Sequence, residues 1–341
     1  MQKKLIALAI TAAFSAPAFA DTSMYGIVDA AIVHNSTTGL KSTTQVLSGG
    51  LSTSRFGINS SEDLGNGMKA IANLEYKLDV AGAAGIGAAR QQQVGLSGGF
   101  GTVRAGFLQD AGYYFAVKFD PTAGSAVDSV AATNPSKYIT TAGRISRAID
   151  YTSPNMGGFS VAVSHGFNQA EVAAPLSADT ATATNLTSVT LVNAMYDAGP
   201  LAVGVAYATD ANDGTTPTAY AKNTDLALGG SFDLQVVKLT ATYQTAKSDT
   251  GSAPGNSSNK GMALTAVAPI GSDALVATVA KETIDSTAAS DNKTALTLAY
   301  LHNMSKMTTL YGAVQKVTKG VIVAGVPEDT TNLAVGLRYK F

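Results

Sequence analysis

Charged side chains recur at every second position in one short stretch of the chain. Residues 68–79 alternate Met, Ala, Leu and Tyr with a second set that carries four charges, Lys69, Glu75, Lys77 and Asp79. Successive side chains of a strand point to opposite faces, so this strand needs water on one face and an apolar medium on the other. Charges that line a water-filled passage act on passing ions through their field. The four charged side chains therefore indicate a passage that selects among solutes by their charge.

Residue patterns that would indicate an enzyme do not occur. His34, His165 and His302 are too scattered to share a metal ion. The sequence holds no Gly-x-Ser-x-Gly stretch of a hydrolase nucleophile, and it has no cysteine for a disulfide or thiolate site. Residues 85–90 break the dinucleotide-binding fingerprint, and residues 98–101 fit a β-turn better than a phosphate loop. We expect neither catalysis nor a bound cofactor or metal.

The first twenty residues are typical of a secretory signal peptide. Lys3 and Lys4 precede an apolar run, and Ala18 and Ala20 are small residues at the positions that signal peptidase requires. Cleavage after Ala20 is therefore expected. A transmembrane anchor is the alternative, but the run is too short and contains Pro17. The formal net charge of the chain is -1, so we expect no binding to nucleic acid.

Short turns alternate with long polar loops from one end of the chain to the other. The sequence predicts sixteen strands, the second of them over residues 52–60 after a polar loop over residues 40–51. Residues 109–146 form the longest stretch without a strand pattern. An even number of antiparallel strands with this alternation is typical of a transmembrane β-barrel. A soluble β-sandwich or β-helix, the alternative, does not explain the alternating connections together with a charged inner face.

The last strand is expected to close this all-β barrel. Apolar side chains occupy every second position of residues 331–341, up to the terminal Phe341, while Arg338 and Lys340 lie on the opposite face. Terminal residues fray unless they are paired. We therefore expect this strand to pair with residues 22–33 and to turn its apolar face toward lipid or a neighbouring copy. Residues 21–341 then form one barrel domain.

Several short motifs resemble those of the trimeric general porins of Gram-negative outer membranes, in particular the betaproteobacterial branch. Each motif is weak alone, but their order and spacing over the whole mature chain are specific. The motifs are MYGIVD at 24–29, SRFG at 54–57, SEDLG at 61–65, VGLSGGFGTV at 94–103, YTSPNMGGF at 151–159 and GLRYKF at 336–341.

The resemblance implies a sixteen-stranded outer-membrane barrel, a homotrimer, and passive diffusion of small hydrophilic solutes and ions. It also implies long extracellular loops and short periplasmic turns, with the third loop, residues 109–146, folded into the lumen to narrow it. Phe341 would be recognised by the barrel assembly machinery. Outer-membrane lipid and lipopolysaccharide would surround the barrel.

The same resemblance implies a constriction where acidic residues of the third loop face basic residues of the wall. Arg55 matches one basic position of the family, whereas Phe107 occupies the second and Arg104 precedes it by three residues. Asp120 and Asp128 are assigned by their location in the loop. Basic wall residues outnumber acidic ones, which predicts a weak anion preference that acidic loop residues could reverse. Further candidates for the pore lining are Lys69, Glu75 and Lys77.

Two other functions remain open at this point. One is a channel selective for phosphate, carboxylates or sugars, and the other is a surface adhesin or phage receptor whose long outer loops need no open pore. Aromatic side chains of the third loop would either form a track for sugars or pack the loop against the wall. These are Tyr113, Tyr114, Phe115 and Phe119.

Overall fold

The computed structural model describes residues 20–167, 187–212, 222–249, 257–285, 292–319 and 329–341, which form a β-barrel with two short helices. No helix in these ranges is both long and apolar enough to cross a bilayer. The helices are α1 (Ala111–Phe119) and α2 (Ser129–Ala132). The strands are β1 (Asp21–Thr37), β2 (Thr43–Ser48), β3 (Arg55–Gly65), β4 (Met68–Asp79), β5 (Gly85–Gly98), β6 (Gly101–Gln109), β7 (Arg144–Thr152), β8 (Phe159–Gly166), β9 (Thr187–Ala198), β10 (Leu201–Asn212), β11 (Lys222–Asp233), β12 (Lys238–Asp249), β13 (Ser257–Ile270), β14 (Asp273–Asp285), β15 (Lys293–Asn303), β16 (Thr308–Lys319) and β17 (Thr330–Lys340).

The sheet closes on itself. From β3 onward each strand pairs antiparallel with the next, and β17 pairs with β1 from Ile27↔Lys340 to Thr37↔Thr330. Along its other edge, β1 pairs first with β3 and then with β2. Because β2 and β3 share that edge, the strands occupy sixteen positions in the wall. The predicted sixteen-stranded antiparallel barrel is confirmed, and closure leaves no edge unpaired in lipid.

One predicted loop contains a strand. The prediction of a loop over residues 40–51 is wrong in its middle, where β2 occupies Thr43–Ser48. The next strand is predicted from residue 52, but β3 begins at Arg55. Within β2 only Val46 and Leu47 are apolar, so the local pattern is too weak to indicate a strand. Pairing with β1, from Ala30↔Ser48 to Asn35↔Thr43, stabilises it instead.

The two faces of the wall follow the predicted alternation. On β17, Leu333, Val335 and Leu337 are exposed on the outer face, while Ala334 is buried on the inner face. On β1, Ile32 is likewise exposed outside. An outward band of apolar side chains is the surface that a barrel presents to lipid. The polar side chains that alternate with this apolar band therefore face the lumen.

Short turns lie at one end of the barrel. Asn66 and Gly67 join β3 to β4 with φ of 54° and 74°, the left-handed conformation that a two-residue hairpin turn requires. Phe341 lies at the same end, where its main chain exchanges hydrogen bonds of 2.9 and 3.1 Å with Gly26. In barrels of this kind the end with short turns is periplasmic. The long connection of residues 110–143 starts at the opposite end.

Residues 110–143, which we call the insert, leave the wall between β6 and β7 and fold into the lumen, as predicted for residues 109–146. Residue 109 and residues 144–146 of the predicted loop belong instead to β6 and β7. α1 packs against β8 to β12, and α2 packs against β14 to β16. The ring of Phe119 lies over two glycines of the wall, Gly204 and Gly229. The hydroxyl oxygens of Ser129 in α2 and Thr297 in β15 are hydrogen-bonded at 2.7 Å. The insert therefore fills one side of the lumen and leaves a cavity beside β1 and β3–β6.

Candidate pore constriction

The helix α1 begins at a buried carboxylate. Asp110 accepts a hydrogen bond from the backbone N–H of Tyr113 at 2.7 Å and so caps the first turn. Burial raises the pKa of Asp110 to about 7. Phe115 and Phe119, four residues apart on one face of α1, are fully buried against the wall. They are packing residues, whereas Tyr114 lines the remaining cavity.

Three arginines from three strands lie close to one another, and two of them, Arg55 and Arg144, lie near Tyr113. Nε of Arg144 on β7 donates a hydrogen bond to the carbonyl oxygen of Arg90 on β5 at 2.9 Å. The Arg144 guanidinium also lies 5.7 Å from the centre of the Tyr113 ring, a cation–π contact. Arg55 on β3 interacts electrostatically with both Arg90 and Tyr113. We call Arg55, Arg90 and Arg144 the basic wall.

One carboxylate neutralises part of the basic wall. Glu75 forms a salt bridge with Nε of Arg90 at 2.6 Å and accepts a hydrogen bond from the Tyr25 hydroxyl at 3.0 Å. Within the described ranges, neither Arg55 nor Arg144 forms a salt bridge. The buried Nε of Arg55 and Nη2 of Arg144 also lack a hydrogen-bond partner among these residues. Neither of these two guanidinium groups is therefore held in an ion pair, although Glu75 interacts electrostatically with both.

Arg104 belongs to a separate ion pair. It lies directly opposite Asp150 in the β6–β7 register, and its Nε donates to Oδ1 of the fully buried Asp150 at 3.0 Å. Nη1 donates to the Tyr114 hydroxyl at 2.6 Å, so the guanidinium also contacts α1. Asp150 accepts a further hydrogen bond of 2.7 Å from Ser164. The charge of Arg104 is thus compensated within the wall, and the side chain positions the start of the insert.

The acidic residues of the insert bond to the insert itself. Asp128 caps α2 by accepting from the backbone N–H of Ala131 at 2.7 Å, and it accepts from Gly124 at 3.1 Å. Asp120 accepts from the N–H and the hydroxyl of Thr122 at 2.8 and 2.7 Å. Burial and the charge of Asp128 raise the pKa of Asp120, and burial raises that of Asp128. Both carboxyl groups stabilise turns of the insert.

Comparison with known sequences then gives a family. The profile of the Gram-negative porins matches residues 7–320. The chain belongs to the Gram-negative porin family. Outer membrane porin protein 32 of Delftia acidovorans is 31% identical over 373 residues, which cover 100% of both chains. The major outer membrane protein P.IB of Neisseria lactamica is 31% identical over 179 residues, which cover 48% of this porin and 50% of that protein.

Solved structures of other porins have the same fold. An anion-selective porin from Comamonas acidovorans superposes with a TM-score of 0.79 at 25% identity, over 95% of this porin and 100% of that chain. The trimer form of OmpT from Vibrio cholerae superposes with a TM-score of 0.72 at 14% identity, over 94% and 99%. At that identity the second likeness shows the fold alone.

Family and fold together establish what this porin does. It is an outer-membrane channel through which solutes diffuse passively, as the sequence predicts. Its family consists of channels rather than enzymes. The long outer loops that an adhesin or phage receptor would use lie mainly outside the described residues.

The structure brings together only part of the predicted constriction. Arg55 and Lys77 lie directly opposite each other in the β3–β4 register, with Glu75 two residues away on the same face. Lys69 lies apart from them, opposite Asp63 next to the periplasmic turn. Arg104 is in its own ion pair, and Asp120 and Asp128 lie together inside the insert. Phe341 is at the periplasmic rim, with its ring against Gly26.

Sequence reasoning did not identify Arg90, Arg144 or Asp150 as site residues. Arg90 follows a run of small residues, and Arg144 lies two residues before the end of the stretch without a strand pattern. A basic residue beside the predicted start of each strand was the available signal. Asp150 could have been found from the register, because it lies directly across from Arg104 on the next strand. The basic wall therefore comes from positions that share no motif.

Proposed function

We propose that this porin passes small hydrophilic solutes and ions with a preference for anions at the basic wall. The observation that carries the proposal is that the guanidinium groups of Arg55 and Arg144 form no salt bridge within the described residues, and that one of them contacts the insert. Fixed positive charge beside a narrow aqueous passage raises the local concentration of anions and repels cations. The anion-selective porin from Comamonas acidovorans, named above for its similarity, is consistent with this preference.

The acidic residues of the insert do not offset this field in the proposed constriction. Asp110, Asp120 and Asp128 are buried and accept hydrogen bonds from the insert. Their raised pKa values favour the neutral form over the charged form. On the wall, Arg338 forms no salt bridge within the described part of the chain and adds to the positive side, although the carboxylate of Asp29 interacts electrostatically with it. Arg55 also interacts electrostatically with Arg338.

The reversal potential of the purified porin in planar bilayers, measured across a KCl gradient, tests the proposal. We expect the sign that corresponds to chloride permeating faster than potassium. Arg55→Gln and Arg144→Gln should each move the potential toward zero. Arg104→Gln should move the reversal potential further in the same direction, since this variant leaves the buried Asp150 without its partner. Lys306→Gln, the same change of charge in an exposed periplasmic turn, is the matched control and should have no effect.

A cation-selective wild type, or potentials unchanged by both Arg55→Gln and Arg144→Gln, would contradict the anion preference. Comparing the potentials of Arg55→Gln and Arg144→Gln separates the contributions of these two arginines to ion selectivity. An effect of Arg144→Gln alone would place the constriction next to Tyr113 and away from Arg55. Ohmic conductance in each variant shows that the barrel has folded and is open.

We also propose that the mature porin begins at Asp21 and assembles as a homotrimer in outer-membrane lipid and lipopolysaccharide. β1 begins at Asp21, directly after the expected cleavage site at Ala20. Apolar side chains such as Ile32 and Val335 are exposed on the outer face of the closing strands, where a second copy or lipid can cover them. A trimer form exists for OmpT of Vibrio cholerae. Intact mass and native mass spectrometry of the porin in mild detergent test both statements.

For Phe341 we propose the role of an assembly signal read by the barrel assembly machinery. Its ring is half exposed at the periplasmic rim and packs near Tyr339, with ring centres 6.3 Å apart. Phe341→Ala should lower the yield of folded barrel in cells but not the yield of refolding from urea into detergent. An equal loss in both would instead indicate a role in stability alone.

A further inference from the structure

Four amide side chains line one region of the lumen without a charge between them. Asn59 on β3, Asn73 on β4 and Gln93 on β5 lie directly across from one another in the registers of the three strands. Gln91 lies two residues before Gln93 on the same face of β5. We call these four residues the amide row. Because neighbouring strands supply them at the same level, they form a continuous polar surface.

The amide row uses only part of its hydrogen-bonding capacity. Nδ2 of Asn73 donates to Oδ1 of Asn59 at 2.6 Å and to the Tyr25 hydroxyl at 3.0 Å. Nε2 of Gln93 donates to Oε1 of Gln91 at 3.1 Å. Oδ1 of Asn73 and Oε1 of Gln93 are buried and accept no hydrogen bond from the described residues. Buried acceptors of this kind are normally paired, and both side chains border the cavity, so a rotation of either amide would bring its free acceptor to a solute there.

The row lines one wall of a cavity of about 670 Å³. Tyr25 and Tyr114 also line it, from β1 and from α1. Asp21 and Ser61, at the short-turn end of the barrel, border it as well, which places the cavity on the periplasmic side of Tyr114. Its volume is within the range of roughly 300–1,000 Å³ that is usual for sites of small molecules.

Charge in the cavity does not favour an ion at the row. The guanidinium of Arg104, which borders the cavity, is paired with Asp150. Glu75, next to Gln91 across the strand pair, is bonded to Arg90. The carboxylate of Asp21 borders the cavity only at its periplasmic end, so the groups that a solute meets beside the row are neutral amides, hydroxyl groups and tyrosine rings.

We propose that the amide row and its two tyrosines form a subsite for neutral, hydroxyl-rich solutes of the size of a mono- or disaccharide. An amide offers both donors and an acceptor, and so it matches hydroxyl groups, which also do both. Tyrosine rings cover the C–H faces of such solutes and keep a polar tip for hydrogen bonding. The subsite retains a sugar on the periplasmic side of the constriction and is independent of the proposed sign of ion selectivity.

Block of the ionic current by maltose in planar bilayers tests this subsite. A polyethylene glycol of the same hydrodynamic size is the control solute, because it occupies the same volume but offers ether oxygens and only two terminal hydroxyl groups. We expect maltose to reduce the current of the wild type more than the glycol does, and at lower concentration when it is added from the periplasmic side. Asn73→Ala and Gln93→Met should each raise the half-blocking concentration about 5-fold.

Asn35→Ala is the matched control variant. It removes an amide that is hydrogen-bonded to Asn332 at 2.6 Å near the opposite end of the barrel, and it should leave the block unchanged. Equal block by maltose and the glycol, or an unchanged block in both Asn73→Ala and Gln93→Met, would overturn the subsite. Gln93→Met keeps the volume of the side chain, so this variant still tests the subsite if Asn73→Ala does not fold. The reversal potential, recorded on the same membranes, tests the anion preference separately.

Discussion

The hydroxyl of Tyr311 on β16 donates a hydrogen bond of 2.5 Å to Oδ1 of Asp29 on β1, across the closing strand β17. Its side chain passes over Gly336 of β17, where a Cβ would lie 2.3 Å from the hydroxyl oxygen. Both Asp29 and Tyr311 are buried on the lumen side. The contact therefore joins the first and the last part of the barrel independently of the backbone pairing.

The same carboxylate holds the chain segment in front of the basic wall. Asp29 accepts hydrogen bonds from the backbone N–H groups of Gly50, Leu51 and Ser52 at 3.0, 3.0 and 2.8 Å. Successive N–H groups that converge on one anion form a stable concave site. Since β3 begins three residues later at Arg55, Asp29 also positions the start of the proposed constriction.

Tyr311→Phe should destabilise the barrel by about 1.5 kcal/mol, the typical contribution of a hydrogen bond to a charged group. The ring and its packing remain, and Asp29 keeps its three backbone donors. Guanidinium unfolding in detergent, followed by circular dichroism, measures the change. Tyr300→Phe removes a hydrogen bond of the same 2.5 Å to Asp273 at an exposed position and should cost under about 0.5 kcal/mol. Equal losses in the two variants would contradict a special role for the contact between Tyr311 and Asp29.

Gly336→Ala should impair closure of the barrel. The new methyl group would lie 2.3 Å from the Tyr311 hydroxyl and 2.6 Å from the carbonyl oxygen of Ala30, and backbone atoms cannot move aside easily. Overpacking of this kind typically costs about 1–3 kcal/mol. Gly312→Ala on β16 is the matched control, because nothing lies within 4 Å of its added Cβ. Gel-shift assays of the folded fraction after refolding should separate the two, and similar folded fractions would count against the clash.

Gly229→Ala should displace the insert. The added Cβ would lie 2.4 Å from Cδ2 of Phe119, so the ring and α1 must shift toward the open side of the lumen. We expect a lower single-channel conductance together with retained folding. Gly230→Ala, the adjacent position, meets its first neighbour only at 3.8 Å and should conduct as the wild type does. An unchanged conductance in Gly229→Ala would show that Phe119 does not determine the position of the insert.

The docking of α1 should weaken as the pH rises. Burial raises the pKa of Asp110 from 3.8 to about 7, so the protonated carboxyl group stabilises the docked helix. This stabilisation is complete below pH 3.8 and is lost as the pH rises through 7. Asp150 nearby adds to the rise in the pKa, and Arg144 opposes it. Amide hydrogen exchange of α1, corrected for intrinsic rates, should show greater protection at pH 5 than at pH 8.

Asp110→Asn should remove most of that pH dependence, because asparagine can cap the helix without titrating. Asp63→Asn is the control, since Asp63 is an exposed carboxylate next to a periplasmic turn that accepts from the N–H of Gly65 at 2.8 Å. It should keep the pH profile of the wild type. Identical profiles in the wild type and Asp110→Asn would assign the dependence to another group.

The sequence by itself determined the barrel, because a strand in a two-faced wall repeats with a period of two and its turns have local residue preferences. The alternation in β4 and β17, the sixteen positions and the insertion before β7 all follow from such local patterns. Closure by β17 against β1 also follows, since an apolar terminal strand in lipid must be paired. β2 was missed because its pattern is too short.

Only the tertiary structure decided how the charges are arranged. Arg55, Arg90 and Arg144 come together from three strands, and Arg104 finds its partner Asp150 only through the register of β6 and β7. The insert has no repeating period, so its sequence does not say which way a side chain points. Its aspartates turn inward because their backbone donors lie within the insert. Contacts between residues far apart in sequence thus set the field in the lumen, while local periodicity sets the wall.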